Sequence, residues 1–232
     1  MTERRHILHI KDASVETDDY GGIDAIAIDL DVVGGELLLL LVEHLVQGAA
    51  FADVCAGLRV PLTGVVQFLG REWRHLTADA ANAQRGRIGR VLREGAWVRQ
   101  LSLKDNILLQ QLHHTRDSLH DLLDQASRLA QQFGLPGVPL GHFEAYSDAD
   151  LQRAACVRAF LGQPALVLLE EPTRHLNRGN RFQLINVIQE TRDKGAAVIW
   201  ITRDRTVWQD ATIPATRRYR WIGRKLMEVH VK

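Results

Sequence analysis

The stretch Leu166-Val167-Leu168-Leu169-Glu170-Glu171-Pro172-Thr173 decides how this chain reads. Four successive aliphatic residues leave no polar face, which predicts a strand buried on both sides in a parallel sheet. The strand stops on two adjacent carboxylates and a proline. Ahead of it lies Leu151-Gln152-Arg153-Ala154-Ala155-Cys156-Val157-Arg158-Ala159-Phe160-Leu161, inside a helix predicted over 148–161. Behind it, a helix over 178–194 and an apolar strand over 196–202 complete a β-α-β unit.

Similar signals extend in both directions. Residues 6–15 alternate apolar and polar and read as an edge-type strand, and 25–33 alternate likewise before the Gly34-Gly35 turn. Residues 37–42 are another fully apolar strand, followed by a helix through Ala56 that Gly57 stops. Strands are expected over 65–69 and 88–93, with Thr77 capping a helix between them. Leucines at helical spacing run through 103–133, and Gly134-Leu135-Pro136-Gly137 ends that run. Residues 219–222 and 225–229 flank Gly223-Arg224 as a terminal hairpin.

Composition narrows the function classes. The 232 residues include 46% hydrophobic and 25% charged side chains, ordinary for a globular chain able to bury a core. A formal charge of +1 gives no basic field for nucleic acid. Cys55 and Cys156 sit in apolar helical contexts and read as buried small hydrophobes in a reducing compartment. The start of the chain does not have a signal-peptide pattern. The longest apolar block is far short of the roughly 20 residues needed to span a bilayer, so any membrane role is expected through a partner. His113-His114, His6 with His9, and His44 with His175 match no metal-ligand spacing and read as surface or cap residues, so no metal is expected.

The helix of form x-Q-R-A-A-x-x-R-A followed by an apolar strand ending in Glu170-Glu171-Pro172-Thr173 resembles the ATP-binding cassette (ABC) ATPase family. The resemblance covers about residues 7 to 231. It implies an α/β fold: a RecA-like P-loop NTPase core with an antiparallel β subdomain and an inserted helical subdomain. It implies one domain over 1–232, with the helical lobe near 103–160. In that family the strand ends Asp-Glu-Pro-Thr, the Asp ordering Mg²⁺ and the Glu polarising the attacking water. Here Glu170 stands for the Asp.

The remaining landmarks depart further. A P-loop of the form Gly-x-x-x-x-Gly-Lys-[Ser/Thr] wraps phosphates with backbone N–H groups, neutralises them with Lys and holds Mg²⁺ through the hydroxyl. The corresponding run is Val42-Glu43-His44-Leu45-Val46-Gln47-Gly48-Ala49-Ala50. Only Gly48 remains, and no register restores the Lys and hydroxyl. Arg93 stands for the glutamine after the Gly-Arg-Val-x strand. Tyr146-Ser147-Asp148-Ala149-Asp150 stands for Leu-Ser-Gly-Gly-Gln, Asn177 for the loop aspartate, and Arg203 for the switch histidine.

Three positions keep the family's residue type. Tyr20 sits where an aromatic would stack on adenine, and it also reads as an exposed turn tyrosine. Ser147 keeps the signature serine, and Glu171 matches the catalytic glutamate. Without the rest of the constellation, both are expected to be structural or vestigial. No catalytic residue and no cofactor are expected; ATP and Mg²⁺ belong only to the alternative. Arg93 and Arg203 are expected to pair with Glu170 or Glu171 in place of the lost Lys and Mg²⁺.

The resemblance implies partners. The family receives a permease helix near the loop containing Ala96, Trp97 and Val98. Trp97 reads either as a groove anchor or as packing between lobes. This stretch and Asp105-Asn106-Ile107 look like bacterial ABC proteins, including those of MCE-type lipid-transport systems. The expected function is a non-catalytic, pseudo-ATPase subunit acting structurally or as a regulator. It would bind a transmembrane permease, another ABC ATPase subunit or a second copy, at the cytoplasmic side of the inner membrane. The alternative is an atypical ATP-binding and ATP-hydrolysing subunit. A third reading is a soluble regulator that puts the vacated pocket to another use.

Overall fold

A computed structural model describes residues 5–16 and 26–230. The order is β1 (His6–Val15), β2 (Ile26–Val33), β3 (Leu37–Leu41), α1 (Leu45–Cys55), β4 (Thr63–Phe68), β5 (Arg71–Glu72), α2 (Ala78–Arg85) and β6 (Ile88–Val91). It continues with α3 (Leu103–His114), α4 (Leu119–Gln132), α5 (Asp148–Phe160), β7 (Leu166–Glu170), α6 (Arg178–Asp193), β8 (Ala197–Thr202), α7 (Arg205–Gln209), β9 (Arg217–Ile222) and β10 (Lys225–Glu228). The ten strands of the described residues form one sheet ordered β5-β4-β1-β2-β10-β9-β3-β8-β7-β6.

The apolar strands are apolar because both faces are covered. In β3, Leu38 and Leu40 join one core and Leu37 and Leu39 the other. β7 divides in the same way, with Leu166 and Leu168 against Val167 and Leu169. The first core holds α1 through Phe51 and the antiparallel strands; the second holds α3 to α6. β3, β8, β7 and β6 pair in parallel, so their carboxyl ends share one edge. That edge is where open α/β sheets carry ligands.

One expectation changes. Residues 6–15 are not at an edge: β1 pairs with β2 on one side and β4 on the other. Its alternation marks the single core-facing side of an antiparallel sheet. The helical run over 103–133 is two helices, because Ser118 starts a new one by accepting from Asp121 N–H at 3.1 Å. Thr77 caps α2 as expected.

α5 lies directly on β6. A Cβ built on Gly89 would fall 1.7 Å from the Ala159 carbonyl oxygen, so only glycine permits that approach.

Candidate functional site

The connection from β3 to α1 is three residues, 42–44. His44 is extended at φ −122° and caps the helix, and its backbone N–H donates to Gln47 Oε1 at 3.0 Å. Residues 42–48 include no left-handed backbone position. Gln47 therefore closes the helix start on itself, in place of an open ring of N–H groups. Gly48 packs against β8: a Cβ there would lie 2.8 Å from Ile201 Cγ2. A lysine at this position would have to displace that contact. With no Lys and no hydroxyl side chain among residues 42–50, the residues present do not fit Mg²⁺-bound ATP.

The strand-end carboxylates are compensated, but not by the expected arginines. Arg90, in the middle of β6, donates from Nε to Glu170 Oε1 at 2.7 Å and from Nη1 to Asp53 Oδ1 at 2.6 Å. Arg93 is exposed and lies 3.6 Å from Glu94. The Arg203 guanidinium makes no ion pair among the described residues; only its backbone N–H reaches Glu171, at 2.5 Å. The correction has a geometric reason. β6 runs beside β7 with Arg90 opposite Leu168, and from there a long side chain reaches the strand end. Arg93 lies beyond the sheet.

One guanidinium serves two acids, so the triad keeps an excess negative charge when both are ionised. Burial pushes the Glu170 carboxyl up, Arg90 pulls it back, and the net direction is upward. Burial opposes the Arg90 charge as well, but the two carboxylates outweigh it and raise its pKa. An arginine between Gly89 and Val91 in a buried strand signals a need for a carboxylate partner, but which carboxylates it reaches is set by the parallel pairing of β6 with β7.

Glu171 adopts a left-handed φ of 47°. For a non-glycine residue this costs on the order of 1–3 kcal/mol. Its backbone N–H donates to the Ile201 carbonyl, and its carboxylate accepts from Thr202 Oγ1 at 3.0 Å and from Arg203 N–H. Both oxygens hold the end of β8. Ser147 caps α5, accepting from Asp150 N–H at 3.2 Å. Tyr20 lies outside the described residues.

A cavity of about 650 Å³ opens over these groups. Leu45, Val46, Ala49, Leu92 and Ala96 form its apolar side, with Glu170 and Glu171 at its base. Among the described residues no cluster of three or more His, Cys, Asp or Glu could hold a metal ion.

Trp97 is half-buried and packs on the helical-side core. The Arg158 guanidinium lies 4.5 Å over its ring and donates to the Gly95 carbonyl. Burial pulls Arg158 down to about 10. Asn106 fixes the loop, accepting from Val98 N–H at 2.8 Å and donating to the Val98, Leu101 and Ser102 carbonyls. Ala96 and Val98 stay exposed beside it.

No protein-family model matches the chain. It is 27% identical over 180 residues to a phosphonates import ATP-binding protein of a Synechococcus strain, covering 74% of this chain and 67% of that protein. It is 22% identical over 187 residues to an uncharacterized ABC transporter ATP-binding protein of Methanocaldococcus jannaschii, covering 80% and 83%. Against a macrolide export ATP-binding/permease protein of Chlorobium luteolum, the match is 22% identical over 76% of this chain and only 26% of that protein. A bacterial ABC transporter cassette solved as a dimer superposes with a TM-score of 0.82 at 17% identity, over 97% of this chain and 100% of that one. The fold is that of the ABC ATPase cassette.

Proposed function

We propose that this chain, with its ABC cassette fold and its likeness to ABC ATP-binding proteins, serves a membrane transporter as a subunit that does not hydrolyse ATP. The β3–α1 connection carries the proposal. Gln47 occupies the helix start, Gly48 and the alanines after it supply neither cation nor hydroxyl, and Arg90 holds Glu170 where the family orders its metal. Phosphoryl transfer depends almost wholly on positioning and charge neutralisation. Removing the lysine and the metal ligands removes both.

The partner in this reading is a transmembrane permease meeting the loop around Ala96 and Val98, with a second ABC subunit or copy alongside. No helix of the described residues is long and apolar enough to cross a membrane, and the proposal assigns the membrane part of the transporter to that partner. The narrower likeness to MCE-type lipid-transport subunits is part of the same proposal.

A hydrolytic subunit with atypical ligands is the competing reading. It is favoured by the retained Glu171 and by relatives named as ATP-binding proteins. Titration with mant-ATP, with and without Mg²⁺, together with a steady-state ATPase assay, separates the two. The proposal expects no Mg²⁺-dependent binding and no turnover above background. Turnover abolished by Glu171→Gln would overturn it.

A further inference from the structure

We propose that the pocket between β3, β9 and the β8–α7 connection binds a small phosphate-bearing anion. Three arginines from three elements line it: Arg203 after β8, Arg205 at the start of α7 and Arg220 on β9. All three are exposed, and among the described residues none pairs with a carboxylate or donates a side-chain hydrogen bond. One acid, Glu43, shares the wall. The whole chain is nearly balanced at +1, so this concentration of unpaired cations is a local excess.

The frame is rigid where the arginines leave it. Arg220 lies opposite Leu41 in the β9–β3 ladder. Arg203 is fixed through its backbone N–H by Glu171. Trp208 forms part of the wall and is locked by donation from Nε1 to the Tyr219 and Leu39 carbonyls. Trp221 also contributes to the wall. Unpaired guanidinium groups converging on one pocket suit an oxygen-rich ligand.

The pocket volume is about 350 Å³. That is near the lower end of small-molecule sites, roughly 300 Å³ upward. Guanidinium forks match phosphate oxygens two at a time, so three of them favour a diphosphate or a compact organic phosphate. Val42 is the one residue this pocket shares with the cavity over Glu170 and Glu171. The inference does not depend on whether the chain hydrolyses ATP.

Calorimetric titration of the full chain with pyrophosphate tests it, at physiological ionic strength and without Mg²⁺. The expected result is one site per chain, weakened about tenfold or more by Arg205→Gln and by Arg220→Gln. Arg220→Lys should fall between, because it keeps the charge and loses the fork. Arg93→Gln, which alters a cation outside the pocket, should change nothing. Thermal melting of each variant confirms folding. Absence of binding overturns the inference, as does binding untouched by Arg205→Gln and Arg220→Gln or weakened equally by Arg93→Gln. Binding to phosphatidic-acid vesicles without binding of pyrophosphate also overturns it.

Discussion

Arg90 binds Glu170 across adjacent parallel strands, Nε to Oε1 at 2.7 Å, with both side chains mostly buried. The same guanidinium reaches back to Asp53 on α1. It therefore joins β6, β7 and the helix above them at the carboxyl edge of the parallel strands. Removing it leaves two acids with no cationic partner among the described residues.

Arg90→Leu should destabilise the fold by about 3–5 kcal/mol, the usual cost of orphaning a buried charge. Arg90→Leu combined with Glu170→Leu should recover much of that loss. Urea unfolding of the single and double variants measures both. A double variant no more stable than Arg90→Leu would show that the pair is not what the arginine serves.

The same triad sets a pH dependence. Glu170 has a folded pKa raised above its ordinary value of 4.5, so the native state binds its proton more tightly than the unfolded chain does. Stability from this group is present at low pH and falls as pH rises through the raised value. Removing Arg90 takes away the pull downward and raises the value further. The deficit of Arg90→Leu should therefore shrink by about 1 kcal/mol or more between about pH 8 and about pH 5. Urea midpoints at the two pH values give the comparison, and a deficit that grows on acidification would contradict the charge assignment.

Trp97→Ala should cost about 2 kcal/mol, because the ring packs on the core and carries Arg158 on its face. Val98→Ser, at an exposed neighbour, should stay within about 0.5 kcal/mol. A fall in melting temperature in the first variant alone separates the packing residue from the exposed one. Under the proposed function, association with a permease should then follow Val98 and Ala96 more closely than Trp97.

Gly89→Ala should cost about 3 kcal/mol or more, since the new methyl meets backbone and no side chain can move aside. Circular dichroism melting reads the loss. Near-wild-type stability would mean that α5 does not rest on β6 at that distance.

Both cysteines should resist Ellman's reagent in the native state. Cys55 and Cys156 are buried, and burial pushes the Cys156 thiol up to about 12 and the Cys55 thiol up as well. Reaction should appear only with unfolding, as a step in thiol titre along a urea series. Rapid labelling in buffer would contradict the packing of α1 and α5.

The sequence by itself determined the layered fold. Five aliphatic residues in a row at 37–41 and four at 166–169 can be satisfied only by burial on both faces, and a cap such as Thr77 starts a helix by local hydrogen bonds. The missing lysine and hydroxyls after β3 were equally plain, because absence of a side chain needs no coordinates. Interior placement of β1 was not legible, since alternation reports one buried face and says nothing of how many neighbours a strand pairs with. Nor was the choice of cation. Arg93 and Arg203 are nearer the strand ends by motif position, whereas Arg90 wins because parallel pairing sets it beside β7 and its side chain points at Glu170 and Asp53. Strand register and side-chain reach are properties of the assembled sheet. The same holds for Arg203, Arg205 and Arg220, which are scattered through the last thirty or so residues in sequence and meet in one pocket only when β8 and β9 flank β3.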